Sequence, residues 1–363
     1  MTYIQKLSFF LIVLVAFSCQ NDVTKSFKNK PVALARMNEI VVLADDNLWE
    51  SAIKDTFEFY FQSAYPILPA PEPMFDLRQF SQKKLAGEPL RKELRTYVVL
   101  ADLNETESPT TKMLRKDLGE ERYLKAKNDP NFNITIGKDK WARGQIVVYI
   151  FASGKKSLMN AIAANYSSIA NRVRLHDKEK LDATIYSVKR ENAGLMTRIG
   201  KRFGIDLRVP GDYKEVLPDN EELMYMRKST TEALLNIVIK TEEYSSENQL
   251  STDAIIAFRD EYGKKYIASE EEGSFMVTNT EDLPTYTYQY DLDEMYTVEV
   301  RGIWEMENDF KGGPYVTYAI LNKNRNEVIY IDVFVLAIGQ DKRDLMMQLD
   351  HIVKTSKMAA ESE

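Results

Sequence analysis

The chain is poor in the residues most catalytic and metal chemistry draws on. Among 363 residues it has two histidines and one cysteine. Zinc sites generally need Cys and His in number, so no metal is expected. Catalysis of the Ser-His-Asp or Cys-His type would have to recruit His176 or His351. Each sits in a charged helical context, His176-Asp177-Lys178 and Asp350-His351, and both are expected on the surface. A lone cysteine leaves no disulfide within the chain, so stability must come from packing. Positive charge is also short: 48 Lys and Arg against 55 Asp and Glu give a net charge of −7. That balance argues against nucleic acid, which wants a basic face. Beyond the N-terminus no apolar run is long enough to cross a membrane; the run at 331–338 is strand length.

What is present begins at the N-terminus. Lys6 precedes the apolar run 7–15, followed by Ala16-Phe17-Ser18-Cys19. The run is shorter than the ~20 residues of a spanning helix and reads as a secretory signal. Small Ala16 and Ser18 followed at once by the only cysteine resemble the bacterial lipobox. There the cysteine receives a lipid and the peptide is cut before it. The departures are Ala16, where Leu is usual, and bulky Phe17. Cys19 is therefore the expected lipid-attachment residue and the membrane the first partner. A plain signal peptide cut beside a cysteine remains the alternative. Gln20, where inner-membrane lipoproteins carry Asp, favours the outer membrane in the family sorting rule.

Patterning along the chain predicts an α+β protein. Residues 1–18 are the signal peptide and 19–36 a tether, polar over roughly its last seventeen residues, 20–36. Residues 37–175 form an α/β half, with buried-strand runs at 39–44, 96–101 and 145–151. A charged amphipathic helix is expected over 110–127 and a short strand over 132–136. Residues 176–204 are a connecting helix, either continuous with the helix from Leu158 or broken near 174–180. The second half, 205–358, turns strand-rich after Phe275, carries a hairpin turn at 322–326 and closes with a helix from Lys342. Residues 359–363 are a tail. One arrangement open to the two halves is a single shared sheet that makes them inseparable. Buried strand, polar turn and helix recur at 39–57, 145–162 and 331–352, which fits either a duplication or ordinary strand-to-helix grammar. Ser153-Gly154-Lys155-Lys156-Ser157 has the flavour of a phosphate loop, but Tyr149 stands where the required glycine would be. No cofactor is expected.

The sharpest local feature is 301–315. Trp304, Phe310 and Tyr315 cluster with Glu305, Glu307 and Asp309 around Gly312-Gly313-Pro314. One reading is a binding loop formed by Trp304, Glu305, Asp309, Phe310, Gly312, Gly313 and Tyr315, with an aromatic floor and carboxylates for hydroxyls. Glu305 and Asp309 are then also the first pair to consider for a glycosidase. The other reading is a tight hairpin with packed aromatics and solvated acids. Just before it, Tyr286, Tyr288 and Tyr290 alternate and share one sheet face, either as a stacking platform or as half-buried sheet. Asp291, Asp293 and Glu294 lack the rest of a calcium loop.

The motif Arg301-Gly302-Ile303-Trp304, then Asp309-Phe310, then Gly312-Gly313-Pro314-Tyr315, resembles an uncharacterised family of bacterial envelope lipoproteins, a domain of unknown function. The leader, Trp141-Ala142-Arg143-Gly144-Gln145, Gly273-Ser274-Phe275-Met276-Val277 and Lys342-Arg343 are similar to it as well. The resemblance covers nearly all the mature chain and brings no assigned activity. The function expected is a membrane-anchored, non-enzymatic envelope protein that binds a protein or glycan partner. The alternative is a carboxylate-dependent hydrolase acting on envelope glycan.

Overall fold

Strands that are apolar along their whole length need cover on both faces, and this requirement organises the first half of the chain. The computed structural model describes residues 30–34, 36–186 and 190–359; the leader and Cys19 lie outside them. The chain divides into two compact units. One holds the residues up to Tyr60 with Asp76–Val173, the other Phe61–Phe75 with the residues from Arg174 onward.

In chain order the first elements are β1 (Glu39–Leu43), α1 (Asp46–Trp49), α2 (Ala52–Phe61), β2 (Asp76–Phe80), α3 (Gln82–Gly87) and β3 (Thr96–Asp102). Then come α4 (Pro109–Leu118), α5 (Glu120–Asn128), β4 (Ile134–Lys138), β5 (Ile146–Ala152) and α6 (Lys155–Tyr186). The five strands form one sheet in the order β2-β1-β3-β5-β4. All neighbours are parallel except β4, which runs antiparallel to β5. Within the expected tether, Val32 and Leu34 each make one parallel bridge, to Arg143 and Leu94.

One sequence expectation changes here and one open alternative is decided. The helix expected over 110–127 is two helices, because Gly119 at φ +78° ends α4, a backbone conformation that favours glycine. Ser108 starts α4 by accepting the Thr111 N–H at 3.1 Å. Of the two alternatives for 174–180, a continuous helix or a break, the helix is continuous. Arg174, Lys178 and Glu179 form the solvated side of one helix, with Val173, Asp177 and Leu181 buried at four-residue spacing. The turn that resembled a phosphate loop has an acid of the protein beside it. Asp102 Oδ1 accepts the N–H groups of Gly154 (2.8 Å) and Asn104 (3.0 Å). A carboxylate of the protein thus stands at the first backbone donor of that turn, where its charge would oppose a bound anion.

The second unit adds α7 (Ala193–Phe203), β6 (Ile205–Asp206), β7 (Lys214–Glu215), β8 (Met224–Ser229), β9 (Leu234–Glu243) and α8 (Thr252–Tyr266). It continues with β10 (Met276–Asn279), β11 (Tyr286–Leu292), β12 (Met295–Met306), β13 (Asp309–Asn322), β14 (Glu327–Leu336), α9 (Arg343–Val353) and β15 (Lys357–Met358). Its main sheet is antiparallel, in the order β10-β12-β13-β14-β9-β8-β7, with β11 also pairing β12. The halves therefore build separate sheets. β14, the third strand of the recurring strand-turn-helix pattern, belongs to this antiparallel sheet, whereas β1 and β5 lie in the parallel one.

Alternation along β13 sorts the two faces. Tyr315 and Ala319 join the core beneath α8, where Phe258 stacks on Tyr330 at 4.3 Å. Val316, Tyr318 and Ile320 point to the opposite face, which α9 covers with Met346, Leu349, Ile352 and Val353.

The N-terminus of α9 is capped from a distance. Lys342 offers no side-chain cap. Glu72 instead accepts the Lys342 N–H at 2.6 Å and the Arg343 N–H at 2.8 Å. This fastens the proline-rich segment 61–75 to the helix. Glu72→Ala is expected to cost about 1–2 kcal/mol, read as a lower urea midpoint for this unit.

Candidate functional site

β12 buries two opposite charges, Glu299 and Arg301, which share the α9 face of the sheet, while its third charge, Glu305, is exposed near the strand's end. Across the β11–β12 register, Tyr286 lies opposite Arg301 and Tyr288 opposite Glu299. The tyrosine stripe therefore shares their face. Helix α9 brings Asp350, His351 and Lys354 to the same place, while the C-terminal part of α6 brings Arg174, Leu175, Lys178 and Leu181. Tyr65, Pro66 and Met74 complete a cleft of about 530 Å³. All of these residues belong to the second unit.

The floor of the cleft is an ionic network. Arg301 Nε donates to Glu299, and its Nη2 donates to Asp350 Oδ1 at 2.8 Å. Tyr318 donates to the same Asp350 oxygen, and Lys354 Nζ reaches Asp350 Oδ2 at 2.9 Å. Tyr290 donates to Glu299 Oε2 at 2.6 Å, with Lys354 Nζ 3.4 Å from that oxygen. Burial alone would raise the Asp350 carboxyl. The charges of Arg301 and Lys354, with hydrogen bonds from Tyr318 and Lys354, outweigh it and hold the group down at about 2. Burial and the Asp350 charge push Tyr65 up to about 12, and burial and Glu299 push Tyr290 well above its ordinary value. Both tyrosines stay protonated, and Tyr290 acts as a donor.

Asp350 thus links stability to pH. Its folded-state value lies below its unfolded one, so its contribution is complete above about 4 and is lost as pH falls through about 2. Wild type is expected to lose roughly 2 kcal/mol across that window through this group. Asp350→Asn should flatten the corresponding part of the urea-midpoint profile between pH 5 and pH 2.

Beside the network, His351 is buried, against the expectation of a surface residue. Its Nε2 lies 3.0 Å from Asp182 Oδ1, which also receives Arg208 Nη1 at 2.7 Å. Arg208 lies over the Tyr186 ring at 3.9 Å and donates to Glu191 at 2.7 Å. His351 follows Asp350 directly on α9, so the turn that directs the acid to the network also carries the imidazole inward. His176 is half-buried.

The residues singled out around 304–315 do not converge. Trp304 is 3% exposed and Tyr315 1%, both packed in the core under α8, and Phe310 alone projects fully. Glu305 accepts the Asn279 amide at 3.0 Å, and Asp309 is held by Lys311 at 2.7 Å. Neither lines the cleft. Gly312 and Gly313 lie inside β13 and pair with Glu305 and Trp304. They are needed for close approach: a Cβ on Gly313 would stand 2.0 Å from the Val335 carbonyl oxygen. The turn itself is at Asn308, whose φ is +59°. Among the described residues no cluster of three or more His, Cys, Asp or Glu is placed to hold a metal ion.

Glu299, Arg301 and Asp350 were missed by sequence reasoning. A Glu-x-Arg pair in the middle of a long, mostly apolar strand was the available signal, since period two places both charges on one covered face. Asp350 had no local signal; only the packing of α9 brings it there.

Residues 33–186 match the family model of one domain of unknown function (DUF8532), and residues 192–355 match that of a second (DUF4837). The chain carries two domains of unknown function. The DUF4837 match contains the ionic floor, Glu299, Arg301 and Asp350. No curated protein matches the chain.

Proposed function

We propose that the protein is a lipid-anchored, non-enzymatic binding protein of the cell envelope, and that the cleft holds its ligand. The observation that carries the binding reading is the state of the cleft's acids. Both Glu299 and Asp350 are engaged by Arg301, Lys354 and tyrosine hydroxyls, and Asp350 is held at about 2. A glycosidase acid needs a raised pKa and a free oxygen toward the substrate. Acids spent on holding a rigid floor, with Tyr288 exposed above them, suit recognition better than proton transfer.

The anchor rests on Ala16-Phe17-Ser18-Cys19 after a short apolar run and on the absence of another thiol. No helix among the described residues is long and apolar enough to cross a membrane. Gln20 favours the outer membrane. Cys19→Ala is expected to move the protein from the membrane fraction to the soluble fraction of lysed cells; unchanged membrane association would contradict the anchor. In parallel, purified protein should leave envelope glycan strands intact. Cleavage that disappears in Asp350→Asn would favour the hydrolase instead.

A further inference from the structure

The class of ligand follows from the charge left over once the cleft's own pairs are satisfied, and it rests on the reading of the cleft as a ligand site. The lining carries four cations, Arg174, Lys178, Arg301 and Lys354, against two carboxylates, Glu299 and Asp350. Arg301 and Lys354 satisfy both carboxylates. Arg174 and Lys178 remain. They stand four residues apart on one side of α6, are exposed, and have no carboxylate partner among the described residues. The Arg174 guanidinium rests on Met74 Sδ at 3.2 Å. In a chain of net charge −7, this leaves a local surplus of two positive charges (4 − 2).

Between these cations and the floor the lining is apolar, with Pro66, Met74, Leu175, Leu181 and Met347, and the Tyr288 ring stands on the sheet side. A saccharide would need open acceptors for its hydroxyls, and the carboxylate oxygens that could supply them are already occupied. An apolar body with one anionic end fits both parts. We propose that the cleft binds an anionic amphiphile. Its carboxylate or phosphate pairs with Arg174 and Lys178, and its hydrocarbon lies against Met74, Leu181 and Tyr288. The volume is within the range of about 300–1,000 Å³ usual for small-ligand sites.

The test is calorimetric titration of the purified mature protein with four probes below their micelle-forming concentrations: dodecanoate, dodecyl phosphate, dodecyltrimethylammonium and dodecyl maltoside. Saturable one-to-one binding of an anionic probe, weakened by salt, is expected, and the tighter of the two anions names the headgroup. The double variant Arg174→Glu, Lys178→Glu should bind it roughly tenfold more weakly or worse while unfolding at the wild-type midpoint. Tyr288→Ala should weaken it as well. Equal binding of all four probes, or no loss in the double variant, overturns the anionic assignment. If the maltoside alone binds and Tyr288→Ala abolishes it, the cleft stands as a ligand site for a neutral class. If none of the four binds, the amphiphile is overturned, and the cleft is then judged by capture at Tyr288 in cells.

Discussion

Replacing Arg301 with methionine is expected to lower the stability of the second unit by about 3–5 kcal/mol. Methionine keeps much of the aliphatic volume, so the loss is chiefly electrostatic. It leaves Glu299 and Asp350, 4% and 17% exposed, with Lys354 as their shared cation and only neutral tyrosine hydroxyls besides. Two buried carboxylates with one shared cation cost far more than a broken surface pair. Asp350→Asn added to Arg301→Met should recover part of the loss, because it removes one of the uncompensated charges. Urea denaturation of the single and double variants measures this. A loss below about 1 kcal/mol for Arg301→Met would place the pair among solvated ones and contradict the account of the floor.

Arg259→Met is expected to cost a comparable 3–5 kcal/mol with a different functional outcome. Arg259 on α8 and Asp332 on β14 are both 0% exposed, 3.0 Å apart. Thr317 and Tyr262 also donate to Asp332, and the guanidinium lies 3.8 Å above the Tyr315 ring. Neutral hydroxyls remain after the substitution, and they do not replace a positive charge in a dry core. This pair lies under α8, on the face of the sheet away from the cleft. Below its lowered melting temperature, Arg259→Met should therefore bind cleft ligands as wild type does. Arg301→Met should lose stability and binding together. Loss of binding in fully folded Arg259→Met would show that the two faces are coupled.

Much of the fold was legible because local signals and tertiary packing agree. The apolar runs at β1, β3 and β5 demanded cover on both faces, and the parallel sheet provides it. The turn residues at 322–326 placed the β13–β14 hairpin correctly. Period-two reasoning put Tyr286, Tyr288 and Tyr290 on one face, and Tyr288 and Tyr290 line the cleft. The same reasoning applied to β12 groups Trp304 with Val298 and Val300 on the core face, away from Glu299 and Arg301. The glycines at 312 and 313 mask this pattern, since close strand approach and tight turns both select glycine. The cleft was not legible as a whole. Its parts come from 65–74, the end of α6, β11, β12 and α9, and no single stretch of sequence reveals which register and packing bring them together.

The most direct measurement of the central claim is site-specific cross-linking in living cells. A photoreactive phenylalanine analogue is placed at Tyr288, and for comparison at Phe59, which is 74% exposed in the other unit. The account predicts a discrete adduct at position 288 that is absent at 59 and lost when Arg174→Glu and Lys178→Glu are introduced. An unmodified protein at position 288, or the same adducts at both positions, would contradict the cleft as the binding site.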